Sequence, residues 1–430
     1  MPDVAPRIIV KLDPGQVSVP YQDNAHLALG GFAQLAWNTL TASFPGVDLA
    51  LNRLFSTQSE GQVRALLDAA ATNSGLTPPD LLNVMAVDFP RGIDPEGLLG
   101  FVRALPFVEF AYVETPTELA AVDPSNDLLA AAQFHLLPAP FGVEAFFAWS
   151  LPGADGANVR IADIEYGWDL THEDLVGGNI AQLNASVPGH ALHSTACLGI
   201  LVGQDNDRGI VGLAPQAKAA VVSALQPSLP DAFVLAVGFL QAGDVLLIEV
   251  QSAGGGPVEI DPHVTMLIHA LTLLGIVVVE PAGNGRQDLD ALLRADGTSL
   301  QRGAFNFVDS GAIMVGARQA LVQDPMSFTS FGSRVDCHAA GENIVTTSVA
   351  PAQYMGILPG TGFGGTSGAS AIIAGTAAIT QGIARARGTT LTPTQLRTHL
   401  SNPTFNTPTN NPATDRIGVM PNLKEIAARI

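Results

Sequence analysis

Gly275-Ile276-Val277-Val278-Val279-Glu280-Pro281-Ala282-Gly283-Asn284-Gly285 opens as an unbroken apolar run and stops at a glycine-asparagine turn. A strand with one wet face would alternate. A continuous Val/Ile run predicts a strand covered by helices on both faces, as in a parallel sheet. Strands of similar strength are predicted at 157–164, 217–224, 244–251 and 311–317, each followed by a helix or loop. That alternation implies a three-layer, doubly wound, mostly parallel α/β domain. In such sheets ligands and chemistry gather at the carboxyl ends of the strands, so the polar residues there are the ones to inspect.

Four of them form a chemical set. Glu165 ends Val159-Arg160-Ile161-Ala162-Asp163-Ile164. His193 stands in Gly189-His190-Ala191-Leu192-His193-Ser194-Thr195, at the start of an apolar helix. Asn284 follows the run quoted above. Ser367 lies in Gly365-Thr366-Ser367-Gly368-Ala369-Ser370-Ala371, before a buried helix of small residues. A serine at a helix N-terminus faces unpaired N–H groups that favour developing negative charge, although capping is the commoner use of such a serine. Singly, a strand-end Glu reads as surface, a His as core and Asn-Gly as a turn. Together they supply a nucleophile, a base, an orienting carboxylate and an oxyanion donor for acyl transfer.

In that order the motifs resemble those of the subtilisin-like serine proteases (subtilases, peptidase family S8). The serine segment is similar to Gly-Thr-Ser-Met-Ala-Ser-Pro, and Ala282-Gly283-Asn284 to the family's oxyanion block. Gly209-Ile210-Val211-Gly212-Leu213-Ala214-Pro215 resembles the stretch after the histidine. Ile164-Glu165-Tyr166-Gly167 with His172-Glu173-Asp174-Leu175 resembles the acid block. The resemblance implies a serine endopeptidase with Ser367, His193, Glu165 and Asn284 in those roles. Glu165 replaces the usual Asp, Ser194 a Gly that leaves room at the site, Gly368 a Met and Ala371 a Pro. Asp163, two residues before Glu165 on the same strand face, is the other candidate to orient His193. His190 falls out of register, and His172 reads as structural. The resemblance also leaves open a silent scaffold or a peptide-modifying transpeptidase on the same fold.

It further implies a substrate-binding edge at Ser252, Ala253 and Gly254, and a pocket wall at Pro281, Ala282 and Gly283. No cofactor is expected for catalysis. Structural calcium is expected at Asp174 and Asn206, with oxygen ligands that suit the ion. Cys197, four residues after His193, and Cys337 are the only cysteines, too few for a disulfide scaffold. Cys197 reads as apolar filler, and Cys337 carries no signal.

The N-terminal part reads as strand 7–12, helix 25–43, strand 49–55, helix 59–74, strand 82–89, helix 94–105 and strand 108–113. This β-α-β-β-α-β order with one inserted helix predicts a small α+β ferredoxin-like domain over 1–115. Position and order resemble the family's propeptide, which implies an intramolecular inhibitor and folding chaperone, and hence a zymogen. Residues 116–134 read as a linker with a processing site, and 135–430 as the catalytic domain. The net charge of −19 argues against a nucleic-acid partner, and the resemblance implies a protein or peptide substrate. No run is long enough to span a membrane. The N-terminus lacks a secretory pattern, so a cytoplasmic location is expected, with non-classical export as the other route.

Overall fold

The computed structural model describes residues 7–90, 92–114, 122–358 and 360–430, and the chain divides into two compact units, Met1–Glu118 and Leu119–Ile430. The first contains β1 (Arg7–Leu12), α1 (Gly31–Ala42), β2 (Ala50–Arg53), α2 (Glu60–Ser74), β3 (Val84–Asp88), α3 (Pro95–Arg103) and β4 (Val108–Val113). Its sheet runs β2-β3-β1-β4 with every pair antiparallel, and β1 lies between β3 and β4. Ile8, Val10, Leu12, Trp37, Leu98 and Val102 share its core. Asp94 caps α3 by accepting from the Glu96 and Gly97 N–H groups. The single helix predicted at 25–43 divides into a short 3-10 turn, Ala25–Ala28, and α1. Leu29 and Gly30 between them are extended, and Gly31 at the start of α1 takes φ +55°, which no continuous right-handed helix accommodates.

The second unit contains α4 (Ala145–Ala148), β5 (Arg160–Glu165), β6 (Ile180–Gln182), α5 (Ala191–Val202), β7 (Lys218–Ser223), α6 (Leu229–Phe239), β8 (Val245–Ile248), α7 (Pro262–Leu273), β9 (Val277–Pro281), β10 (Ile313–Arg318) and β11 (Cys337–Ala340). The strand pair β12 (Thr346–Thr347) and β13 (Tyr354–Met355), then α8 (Gly365–Ala386), α9 (Pro393–Ser401), β14 (Thr407–Pro408), α10 (Pro412–Asp415), β15 (Val419–Met420) and α11 (Leu423–Ala427) complete it. The main sheet runs β14-β15-β11-β10-β9-β8-β5-β7-β6. It is parallel throughout except where β14 meets β15.

Alternate residues of each strand feed opposite cores, as the pleat requires. Ile161, Val221, Leu247 and Val279 pack with Ile372, Ile373 and Ile379 of α8 and with α5. Ile164, Val222, Ile248 and Val278 pack with Phe233 of α6 and Ile268 of α7. This is the three-layer, doubly wound architecture that the alternating strands and helices imply. The chain order of the strands reverses at β5, the switch point where an open parallel sheet places its site.

The stretch read as a linker differs in its second half. Residues 115–121 lie outside the described residues, but Val122 and Ala130 belong to the core of the second unit. Asp127 is buried and accepts from the Arg208 N–H at 3.0 Å. The Ala, Asp, Ser and Asn of this segment are polar enough to read as a linker, and small enough to pack.

Candidate active site

Glu165 is the last residue of β5 and is 1 % exposed. Its Oε2 meets His193 Nδ1 at 2.6 Å. The extra methylene of Glu, compared with Asp, is thus taken up without loss of contact. The Ser194 hydroxyl donates to the same oxygen at 2.8 Å. Burial pulls the His193 imidazole down. The charge of Glu165 and its hydrogen bond together outweigh that, and the pKa stands above its ordinary value. The other side of the ring remains open to solvent and meets Phe363 edge-on at 5.1 Å between centroids.

Asp163 points to the same face but deeper, and Trp168 Nε1 donates to its Oδ2 at 2.9 Å. Burial, then the charge of Glu165, push its carboxyl well above the usual range. The arrangement assigns the contact with His193 to Glu165. His190 stands against Tyr166 at the cavity mouth. His172 is fixed by its neighbours: Nε2 meets Gln353 O at 2.6 Å, and Nδ1 accepts from the Asp174 N–H at 3.0 Å.

Ser367 is the third residue of α8 and lines the same cavity as Glu165, His193 and Asn284. The helix can begin there because Gly365 adopts φ +80°, where its N–H donates to Gly341 O at 2.9 Å. The Thr366 N–H donates to Asn284 Oδ1 at 2.9 Å, and the Gly368 N–H to Gly364 O at 3.3 Å. Among the described residues the Ser367 N–H has no such partner, so it remains available to an anion at the helix N-terminus. Ser367 and His193 share the cavity without a direct hydrogen bond. Such contacts commonly close only when substrate is bound.

Asn284 reaches the site from the loop after β9. Gly283 makes this possible, at φ +93° and packed so tightly that a Cβ would lie 2.1 Å from Gly255 O. Gln251 Oε1 accepts from the Asn284 backbone N–H at 3.0 Å and from Nδ2 at 3.3 Å. The second Nδ2 proton is left for an oxyanion.

Of the expected substrate wall, Pro281 lines the cavity and Ala282 is fully buried. Ser252, Ala253 and Gly254 do not line it. Ser252 closes its own loop, accepting from the Gly256 N–H at 3.1 Å, while Gly254 O accepts from Gln287 Nε2 at 2.8 Å. Glu249, Val250 and Gln251 face the cavity in their place. The Ser-x-Gly-Gly spacing drew attention to the loop. A carboxylate at the end of an apolar strand, with Gln two positions on, was the signal for its neighbours.

Cys197 and Cys337 are buried free thiols. Burial, then the charges of Glu165, Glu249 and Asp163, push the Cys197 thiol well up, so it is no nucleophile.

For calcium, Asp174 Oδ2 accepts from the Ile210 N–H at 3.0 Å, and Asn206 Nδ2 donates to Glu173 O at 3.0 Å. Asp174 Oδ1, Asn206 Oδ1 and Asp127 Oδ2 are buried without partners. Asp127 also bonds the Asn206 N–H, at 3.5 Å. Orphaned buried oxygens of this kind fit a hard cation.

Comparison with known proteins identifies the family. The model of the Subtilase family (Peptidase_S8) matches residues 160–419, and the chain belongs to that family. Subtilisin NAT of Bacillus subtilis subsp. natto is 28% identical over 255 residues, 56% of this chain and 60% of its own length. The major intracellular serine protease of Bacillus subtilis (strain 168) is 26% identical over 51% of this chain and 70% of its own. The chain thus spans about three fifths of the length of subtilisin NAT. A solved protease of Pseudoalteromonas arctica PAMC 21717 superposes with TM-score 0.52 at 20% identity, over 71% of this chain and 98% of that one. The prenylagaramide maturation protease PagA superposes with TM-score 0.51 at 19% identity, over 66% and 97%.

Proposed function

We propose that this chain is a serine endopeptidase that works through an acyl-enzyme. The observation that carries the reading is the Glu165–His193 contact in one cavity with Ser367 at a helix N-terminus. Ser367 Oγ attacks the peptide carbonyl carbon. Its proton goes to His193 Nε2, since Nδ1 is held by Glu165, and the Glu165 charge stabilises the imidazolium. The Ser367 N–H and Asn284 Nδ2 donate to the oxyanion. His193 returns the proton to the leaving amine, and water repeats the cycle on the acyl-enzyme. Peptide is expected to run past Pro281 and Val250, which line the cavity.

The N-terminal unit acts as an intramolecular inhibitor and folding chaperone, removed by self-cleavage. Support comes from its place ahead of the catalytic unit and its β2-β3-β1-β4 sheet. With 122–134 packed into the second unit, the cleavage point is expected before residue 122. Asp174 and Asn206, joined by Asp127, would hold a structural calcium that braces the segment after β5 and takes no part in the reaction. No helix among the described residues is long and apolar enough to cross a membrane.

The test is intact mass over time, with fluorophosphonate labelling, for wild type and Ser367→Ala. Loss of the N-terminal unit and labelling in wild type alone support the reading. No labelling of wild type overturns it in favour of a silent scaffold. Chelation by EDTA should lower the melting temperature of Ser367→Ala, and no change removes the calcium.

A further inference from the structure

Glu249 is the first residue beyond β8, and the reaction above does not use it. Ile164 pairs with Ile248, and the Glu249 N–H donates to Ile164 O at 3.0 Å. Glu249 therefore stands beside Glu165, at the same level of the neighbouring strand. It lines the cavity of Ser367, His193 and Asn284, yet is only 5 % exposed. Both its carboxyl oxygens are buried and lack a hydrogen bond of standard geometry. Ser367 lines the same cavity, and its hydroxyl is a neighbour that acts on the Glu249 carboxyl.

Every element packed around Glu249 presents acids or neutral groups. Asp163 and Glu165 face it from β5, the Cys197 thiol from α5 and Ser367 from α8. Among the described residues, the cation-forming groups of this cavity are His193, engaged by Glu165, and His190, which stands against Tyr166. Among the described residues no Lys or Arg pairs with Glu249. Carboxylates that share one buried site disfavour each other's charged form. Three buried carboxyls beside one imidazole therefore cannot all ionise. Burial first, then the charges of Glu165 and Asp163, push the Glu249 carboxyl well above its ordinary value, although the Ser367 hydroxyl acts the other way.

We propose that Glu249 is a positioning residue of the serine site, a neutral carboxylic acid whose proton is hydrogen-bonded to Ser367 Oγ. The inference rests on the serine-endopeptidase reading above. Glu249 keeps its proton throughout the cycle. Its hydrogen bond aims Ser367 Oγ into the cavity and favours the charge that grows there as the serine proton leaves for His193. Above its pKa, Glu249 becomes a second anion beneath the nucleophile. It then opposes the developing oxyanion and turns the serine hydroxyl toward itself. Activity must fall at alkaline pH for a reason distinct from His193, which by then is a free base.

The experiment is the rate of fluorophosphonate labelling of Ser367 against pH in full-length wild type and Glu249→Gln. Wild type should rise through the His193 pKa and fall again at alkaline pH. Glu249→Gln should lose up to about tenfold at neutral pH, the worth of one hydrogen bond, and lose the alkaline fall. An alkaline fall unchanged in Glu249→Gln overturns the proposal and leaves the serine site standing. Wild type that labels at no pH overturns the serine site and this proposal with it. A measurement that needs no variant at position 249 is infrared difference spectroscopy of Ser367→Ala between neutral and alkaline pH. It should show a protonated carboxyl lost across the range where wild-type labelling declines. Absence of that band overturns the proposal even if Glu249→Gln does not fold.

Discussion

The Ser194 hydroxyl and the His193 imidazole meet one oxygen, Oε2 of Glu165, at 2.8 and 2.6 Å. In sequence, Ser194 stands where the family has glycine and threatens to crowd the site. In the fold it is a second donor to the orienting carboxylate, placed by the same turn of α5 that presents His193. Glu165 needs it, because its other oxygen is buried without a partner. Ser194→Ala should lower kcat/KM by about tenfold, the scale of one hydrogen bond to a charged group. Glu165→Ala should lower it by about 10⁴. Steady-state kinetics on a peptide substrate compare the two, and equal losses would remove the distinction between orienting and assisting.

Glu165→Asp restores the usual family residue, yet a loss is expected. The backbone at the end of β5 is set for the longer side chain, and Asp would withdraw from both His193 Nδ1 and Ser194 Oγ. A displacement of about 1 Å costs on the order of 10² in rate. Full activity in Glu165→Asp would show that the loop carrying His193 adjusts to either acid.

How much of this was legible is uneven, for physical reasons. Five strands of the main sheet, β5, β7, β8, β9 and β10, announced themselves by their apolar runs, whereas the short β6, β11, β14 and β15 gave no such signal. The candidate site could be read because Glu165, His193 and Ser367 each sit at a strand end or helix start that their neighbours mark. Glu249 and Gln251 were passed over, since one carboxylate closing the run Val245–Ile248 looks like the strand reaching solvent. Only the register with β5 shows that it turns inward beside Glu165. Asp127 was hidden in a segment whose composition imitates a linker. Ser252 was overvalued because spacing does not reveal that its hydroxyl closes its own loop.

In the proposed reaction the oxyanion donor, Asn284, depends on Gln251. That side chain accepts twice from Asn284 and so fixes the amide whose remaining proton faces the cavity. Asn284→Ala should lower kcat by about 10²–10³ with little change in KM. Gln251→Ala should give a smaller fall, also in kcat, because it loosens the donor without removing it. A change confined to KM in either variant would place these residues in substrate binding instead.

Two pH dependences follow, with opposite signs. His193 must be neutral to act as base. Its raised pKa puts the acid limb of kcat/KM above about 6.5, the ordinary imidazole value. Glu165→Gln removes the raising charge, so the limb should move down in pH while the rate drops. Stability runs the other way for Asp163 and Glu249, whose carboxyls are raised in the folded chain. The folded state then holds protons that the unfolded chain releases above about pH 4, so stability falls as pH rises. Melting temperatures of Ser367→Ala, which cannot digest itself, should be higher near pH 5 than near pH 8. Asp163→Asn should flatten that slope. A melting temperature that climbs toward pH 8 contradicts the assignment of both groups as neutral.

Arg334 is fully buried, with Glu259 at 2.7 and 3.0 Å and Asp336 at 2.9 Å. Glu280 of β9, next to the cavity-lining Pro281, lies 3.9 Å away. Burial alone would push the Glu259 carboxyl up, but the charge and hydrogen bonds of Arg334 bring it down to about 2. A depressed pKa contributes stability above the unfolded value of about 4.3, and that contribution is lost as pH falls toward 2. Removing the guanidinium strands buried acids, at a cost of about 3–5 kcal/mol. Arg334→Met in the Ser367→Ala background should therefore lose that much in urea unfolding at pH 7. Its deficit against the parent should shrink as acid neutralises the stranded carboxyls. In an otherwise wild-type chain kept folded in the cold, Arg334→Met should still label with fluorophosphonate, since the network braces the floor of β9 and not the reacting atoms. Loss of labelling in protein that remains folded would instead tie this network to the placement of Asn284.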